Sequence, residues 1–176
     1  CREVFEINKI KLLLLTFLIL TLSSCVGAAK DITVQPGGSI QAAVNSASSG
    51  DTIIVDPGTY TENIVINNKD NLEIRSSQGP DNTTIASNNT GKDIISIGAR
   101  TNLKITGFTI SGAGGGSSGI NLNMCRDCAV ENNKFLNNSV GIYLRSSGNI
   151  VIRNNIVTTG TGSGIYSTQS YSTTIS

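Results

Sequence analysis

Four groups of residues in this 176-residue chain have types and spacings that could do chemistry. The first is aromatic. Tyr143 and Tyr166 occupy equivalent places of a repeat, as does Asn121, and each stands two residues before Asn123, Arg145 or Thr168. Two outward Tyr rings on adjacent strands would form a platform for sugar rings, with Arg145 and the amides of Asn121 and Asn123 as hydrogen-bond donors. The plainer reading is a solvent-facing ladder in which Tyr only serves strand propensity and cross-strand packing. The second group is acidic. Asp127 and Glu131 are the nearest pair in sequence, but the repeat sets Glu131 beside Arg153, so an exposed ion pair is expected rather than two carboxyl groups facing one glycosidic bond. Asp51 and Asp56 flank one short strand, where turn chemistry accounts for them.

The third group is Cys125 and Cys128 in "MCRDC". A Cys-x-x-Cys can be a redox motif or half of a zinc site. No second such pair and no His completes a metal site. The repeat gives Cys128 the inward place of Ile150 and Cys125 the turn place of Ser147. A small buried apolar thiol at Cys128, free or bridged to Cys125 after export, is therefore expected, with a reactive dithiol as the alternative. The fourth group is the three Asn-x-Ser/Thr sequons at Asn82, Asn88 and Asn137. They suit surface glycosylation of an exported protein, although a chain this rich in Asn and Thr supplies such triplets by chance.

The elements that must position these residues are strands. The chain has no His and no Trp, only 14% charged residues, 19 Gly, and abundant Asn, Ser and Thr beside Ile and Val. That mixture suits short strands joined by tight turns and is poor for helix bundles. Of the 13 basic and 12 acidic residues, Arg2, Lys9, Lys11, Glu3 and Glu6 fall in the first 29 positions, so the rest is formally neutral. A neutral surface without a basic run argues against nucleic acid as a partner. Lys9 and Lys11 precede "LLLLTFLILTL" (residues 12–22) and a small-residue stretch. This run is shorter than the ~20 apolar residues of a membrane span and reads as a secretory signal over 1–29. "LSSC" offers Cys25 for lipidation, "VGAAK" offers ordinary cleavage after Ala29, and a retained anchor is the third option. Membrane contact is expected only through this segment. The chain starts at Cys1 and stops at Ile175-Ser176 in mid-pattern, so it reads as a fragment of a longer product.

Within "ENNKFLNNSVGIYLRSSGNIVIRNNIVTTGTGSGIY" (131–166) the chain nearly repeats itself. Val130, Ile152 and Ile175 fall in step, as do Ile120, Ile142 and Ile165, and Phe135 and Val157. Further back, Ile105 and Ile110 take the places of Val130 and Phe135. Apolar residues alternate inside each unit, which is strand periodicity. A unit of this length cannot bury its apolar face alone, and stacking equivalent strands as parallel neighbours solves that. The fold class is thus all-β, a right-handed parallel β-helix of about five coils over 52–176, some 20–25 Å tall at ~4.8 Å per rung. Asn132 lies over Asn154 and Asn133 over Asn155, as expected of an amide ladder at one turn. Residues 30–51 are expected to cap the stack. "GGSIQAAVNSASSGD" puts Ile40, Ala43, Val44 and Ala47 on one helical face with Ser39 as N-cap. "DTIIVDPGTYTENIVI" then reads as strand, Pro57-Gly58 turn, strand.

With "SIQAAVNSASSGDTIIVDPGTYTENIVI" followed by the Gly-Ile and "NIVIRNN" coils, residues 33–176 resemble the pectin-lyase-like right-handed β-helix superfamily. The pattern is most like its NosD-like and related surface proteins of archaea and bacteria, often described as carbohydrate-binding and sugar-hydrolysis domains. The resemblance implies the fold and an extracellular, cell-surface or periplasmic place. Activity does not follow, since the superfamily includes lyases, hydrolases, epimerases, adhesins and proteins without a reaction. Its lyases typically hold Ca²⁺ in a carboxylate cluster with an Arg or Lys base, and its hydrolases cluster Asp residues. No such constellation is visible in these coils. NosD also implies a copper-related role, but without His or a Met cluster (Met124 is the only Met) no copper site can be placed. The expectation is an exported surface or envelope β-helix with a structural or polysaccharide-binding role. The alternative is a polysaccharide lyase or glycoside hydrolase with its site beyond residue 176, for which alone Ca²⁺ would be needed.

Overall fold

The computed structural model describes residues 28–160 and 162–176, so the apolar run at 12–22 and Cys25 lie outside the described residues. In chain order the elements are β1 (Asp31–Val34), α1 (Ile40–Ser46), β2 (Thr52–Val55), β3 (Gly58–Thr61), β4 (Ile64–Ile66), β5 (Leu72–Ser76), β6 (Thr83–Ala86), β7 (Ile95–Gly98) and β8 (Leu103–Thr106). They continue with β9 (Thr109–Ser111), β10 (Ser118–Asn123), β11 (Ala129–Glu131), β12 (Lys134–Asn138), β13 (Val140–Arg145), β14 (Gly148–Arg153), β15 (Ile156–Thr159), β16 (Ile165–Thr168) and β17 (Tyr171–Ile175). From β2 onward every third strand falls in the same sheet. Sheet A has the order β1-β2-β5-β8-β11-β14-β17, sheet B β3-β6-β9-β12-β15, and sheet C β4-β7-β10-β13-β16. This is the right-handed parallel β-helix, the hand that a right-twisted strand favours in a parallel crossover.

The register is the expected one. Val130 pairs with Ile152 and with Ile105, Ile152 with Ile175, Ile120 with Ile142, and Phe135 with Val157 and Ile110. Inward columns such as Ile53-Ile74-Ile105-Val130-Ile152 are almost wholly buried, while the alternate residues face out. Five complete three-stranded coils run from β2 to β16. Sheet A extends one strand further at each end, so seven rungs stand roughly 29 Å tall at ~4.8 Å spacing, more than the expected 20–25 Å. The extra strand at the front, β1, pairs with β2 from within residues 30–51, so that segment contributes to the sheet as well as capping it. The second strand expected after Pro57-Gly58 is two strands, β3 and β4, with a corner between them.

Helix α1 closes the N-terminal end. Ser39 is its N-cap, its Oγ accepting the Ala42 amide at 3.1 Å. Glu62 supplies a second cap from the β3–β4 corner, accepting the Ile40 amide at 2.7 Å, the Gln41 amide at 3.1 Å and the Ser39 hydroxyl at 2.9 Å. Ile40, Ala43, Val44 and Ala47 then lie in the core. Asp51 ties the segment down, accepting the amides of Lys30 at 3.0 Å and Ser48 at 2.8 Å.

Corners would strand backbone polar groups inside the stack, and two side-chain ladders prevent this. Asn133 Oδ1 accepts the Phe108 amide at 3.0 Å, and its Nδ2 donates to the Ile105 carbonyl at 3.0 Å. Asn155 repeats this one rung on, accepting both the Asn133 amide (2.9 Å) and its Nδ2 (3.2 Å) and donating to the Val130 carbonyl at 2.7 Å. Asn132 and Asn154 play a different part. They are exposed and adopt φ of 54° and 55°, a left-handed conformation that Asn tolerates better than most residues. At the corner from sheet C to sheet A, the Cys125 amide donates to Ser147 Oγ at 3.0 Å and the Ser147 amide to Ser170 Oγ at 3.1 Å.

Two changes should unfold the stack. Val130→Asp buries a charge without a partner, and a Cβ on Gly141 would collide with the Gly164 carbonyl and the Val157 side chain. Each is expected to cost more than about 2 kcal/mol, read as loss or marked lowering of the cooperative thermal transition; a transition kept at the wild-type temperature would refute the register. Hydrogen bonds from Ser48 and then Lys30 hold the Asp51 carboxyl below its ordinary value. Its contribution is therefore present above the unfolded carboxylate range near ~4 and fades as pH falls through the lower folded value. Thermal melts from neutral to acid pH should show a shallower acid loss in Asp51→Asn than in the wild type, and identical slopes would contradict this role.

Candidate functional site

Sheet C presents its alternate residues outward as two continuous columns. One runs Val65-Ser96-Asn121-Tyr143-Tyr166, the other Gly98-Asn123-Arg145-Thr168. The period of two along each strand and the rung spacing across strands therefore bring together residues that are more than 20 positions apart in sequence. The Tyr143 and Tyr166 ring centroids are 5.4 Å apart with planes tilted by 35°. Tyr166 is 51% exposed, whereas Tyr143 is half-buried beneath its neighbour and was expected to be open. Arg145 is exposed, and Asn123 is half-buried. Among the described residues Arg145 makes no ion pair. The arrangement offers a tilted aromatic surface with a free guanidinium beside it. Aromatic faces of this kind carry apolar area and a π-surface, while Arg supplies fixed donors.

Asn121 is not a free donor. Its Nδ2 donates to Asp93 Oδ2 at 2.8 Å, and Asp93 Oδ1 accepts the Ser118 amide at 2.7 Å. Asp93 stands on the loop before β7, together with the exposed Lys92. Neither was singled out by the repeat, because the step from Ile74 to Ile105 spans a long irregular segment that breaks it. A depression of about 340 Å³ opens there, lined by Asn63, Val65, Lys92, Asp93, Ser96 and Ser117.

The acidic candidates do not converge. Glu131 is buried, contrary to the exposed pair expected, with Arg153 Nε 2.9 Å and Lys104 Nζ 3.8 Å from its oxygens. Lys104 also reaches Glu73 at 3.2 Å. The burial arises because this outward carboxylate is sandwiched between long cationic side chains of the rungs on either side. Asp127 instead accepts from the Asn149 side-chain Nδ2 at 3.0 Å, and Asp56 binds Gln35 and Ser77. Cys125 and Cys128 are buried free thiols, in the turn and inward places expected, and no disulfide joins them. The thiols influence each other: the nearby Cys125, then burial, pushes the Cys128 thiol up, and the nearby Cys128 lowers Cys125. The sequon residues Asn82, Asn88 and Asn137 are all exposed. At Asn137 a bulge in β12 turns the side chain out while Asn138 plugs the core, accepting the Ala113 amide at 3.0 Å.

Known proteins place this geometry in context. A cell surface glycoprotein of Methanothermus fervidus is 34% identical over 135 residues, 74% of this chain. The chain spans about a fifth (21%) of that relative's length. The crystal structure of an alginate lyase from Paenibacillus sp. str. FPU-7 superposes with a TM-score of 0.69, over 84% of this chain and 58% of that one, at 18% identity. At that identity the likeness is one of fold. The family described as "Periplasmic copper-binding protein (NosD)" matches residues 44–176. Copper has no fitting donor set among the described residues. No three His, Cys, Asp or Glu side chains cluster, the two thiols are sealed in the core, and Met124 at the same corner is exposed to solvent. The fold and the match over three quarters of its length nevertheless settle kinship: the chain belongs to the NosD family.

Proposed function

We propose that this chain is the β-helix part of an exported, surface-associated protein whose sheet C face binds polysaccharide. The observation that carries the reading is the Tyr143–Tyr166 pair on adjacent rungs, with Arg145 exposed beside it and without an ion pair among the described residues. Elsewhere the outward strand positions are mostly Thr, Ser, Asn and charged residues. The family description names a periplasmic protein and the Methanothermus relative is a cell surface glycoprotein, and both support an extracytoplasmic place. The exposed sequons at Asn82, Asn88 and Asn137 suit such a place. Solenoid faces bind through extended arrays of side chains, and the dry stack beneath gives this one a rigid base.

The test is to pass the protein over a panel of immobilised acidic and neutral polysaccharides while following release of reducing or unsaturated ends. Retention without release is expected. The double variant Tyr143→Ala/Tyr166→Ala should keep its thermal transition and lose about tenfold or more in affinity, or ~1.4 kcal/mol. End-group release would make the protein an enzyme, and an unchanged affinity in the double variant would remove the Tyr pair from the site.

A further inference from the structure

We propose that the glycan track on sheet C continues past the tyrosines to a second subsite at the N-terminal end of the stack, so that the ligand is a linear oligosaccharide lying along the solenoid axis. This rests on the polysaccharide-binding reading above. The column Val65-Ser96-Asn121-Tyr143-Tyr166 is unbroken over five rungs. It measures four spacings of ~4.8 Å, roughly 19 Å, more than one sugar ring can bridge. One end carries the aromatic pair. The other opens into the depression walled by the segment before β7.

That depression is built rather than incidental. Asn63 clamps its wall, its Oδ1 accepting the amides of Asn88 (3.2 Å) and Asn89 (3.0 Å), and its Nδ2 donating to the carbonyls of Asp93 (2.8 Å) and Lys92 (3.3 Å). Asp93 is held by Ser118 and by Asn121, the residue that pairs across the rungs with Tyr143. The two ends of the track are thus joined through one carboxylate. Val65 is 48% exposed at the floor, an apolar spot among polar walls that matches the C–H face of a pyranose. Around it, the carboxylate of Asp93 retains lone pairs for sugar hydroxyls, Ser96 can donate or accept, and Lys92 supplies donors. Among the described residues Lys92 makes no ion pair. A floor for the ring face and donors and acceptors at the rim are the requirements for holding one sugar unit, and the tyrosines hold another further along the same chain.

The test measures affinity against oligosaccharide length. Oligoalginates and cello-oligosaccharides, from disaccharide to octasaccharide, serve as the anionic and the neutral probe. For whichever series binds, wild-type affinity should rise about tenfold or more between the shortest and the longest members. Val65→Asp, checked by an unchanged thermal transition, should remove that rise and leave disaccharide affinity intact. Lys92→Ala is the second variant should Val65→Asp fail to fold, with the same expectation at smaller size. If the length dependence survives both substitutions while Tyr143→Ala/Tyr166→Ala abolishes binding, the second subsite is overturned and the tyrosine site stands. If neither series binds the wild type at any length, the polysaccharide reading itself falls, and this inference with it.

Discussion

Each strand of this protein is satisfied only by the coil above and the coil below. A three- to six-residue strand has no partner within its own coil, so its backbone hydrogen bonds and its apolar side chains both depend on an equivalent strand 21 to 31 residues away. Val130 over Ile152, Ile120 over Ile142 and Phe135 over Val157 express the same condition in the three sheets. The corners are where that condition is hardest to meet, since the chain must turn sharply without leaving buried amides unpaired. Asn133 and Asn155 meet it by bonding to the backbone of the rung beneath, and Asn132 and Asn154 by adopting the left-handed conformation outside. Glycine meets a further demand. At Gly141 the neighbouring rung comes so close that no side chain fits.

This constraint also frees the surface. Because the inward positions and the corners carry the stack, the outward strand positions accept a wide choice of residues, and a ligand site can be written on them at little cost to the core. Sheet C uses this latitude for aromatic and polar groups. Sheet A uses it for an alternating ladder of charges, Glu73, Lys104, Glu131 and Arg153. The ladder spans four strands, which makes its contribution one of fixing register between coils more than of net stability. The buried thiols of Cys125 and Cys128 belong to the inward set and pack as small apolar residues.

Much of this is legible in the sequence where the coils are regular. From Ile105 onward the steps are nearly equal, so the register, the Asn positions and the outward placement of Tyr143 and Tyr166 follow from alignment of the chain with itself. The helix over Ile40–Ser46 is legible for a different reason, its apolar spacing and Ser39 cap. Legibility fails where spacing is irregular. The long step between Ile74 and Ile105 hides β5 to β7, and with them Lys92, Asp93 and Ser96. β1 is hidden because four residues carry too little periodicity. Distances in the third dimension are also invisible to alignment. The burial of Glu131 depends on Lys104, and the loss of Asn121 as a free donor depends on Asp93, both set by a neighbouring rung.

If the coil is the unit of the fold, one whole step of the register can be removed without disturbing the rest. The most direct measurement compares two deletions by circular dichroism and thermal unfolding. Removing Glu131 through Ile152 takes out one whole step, since Val130 and Ile152 are register partners, and it brings Arg153 into the place of Glu131. Removing residues 131–141 takes out half a step and sets apolar residues against corners. The whole-step deletion is expected to keep the β spectrum and a cooperative transition, and the half-step deletion to lose both. Equal damage from the two would mean that the coil is not the unit of the fold.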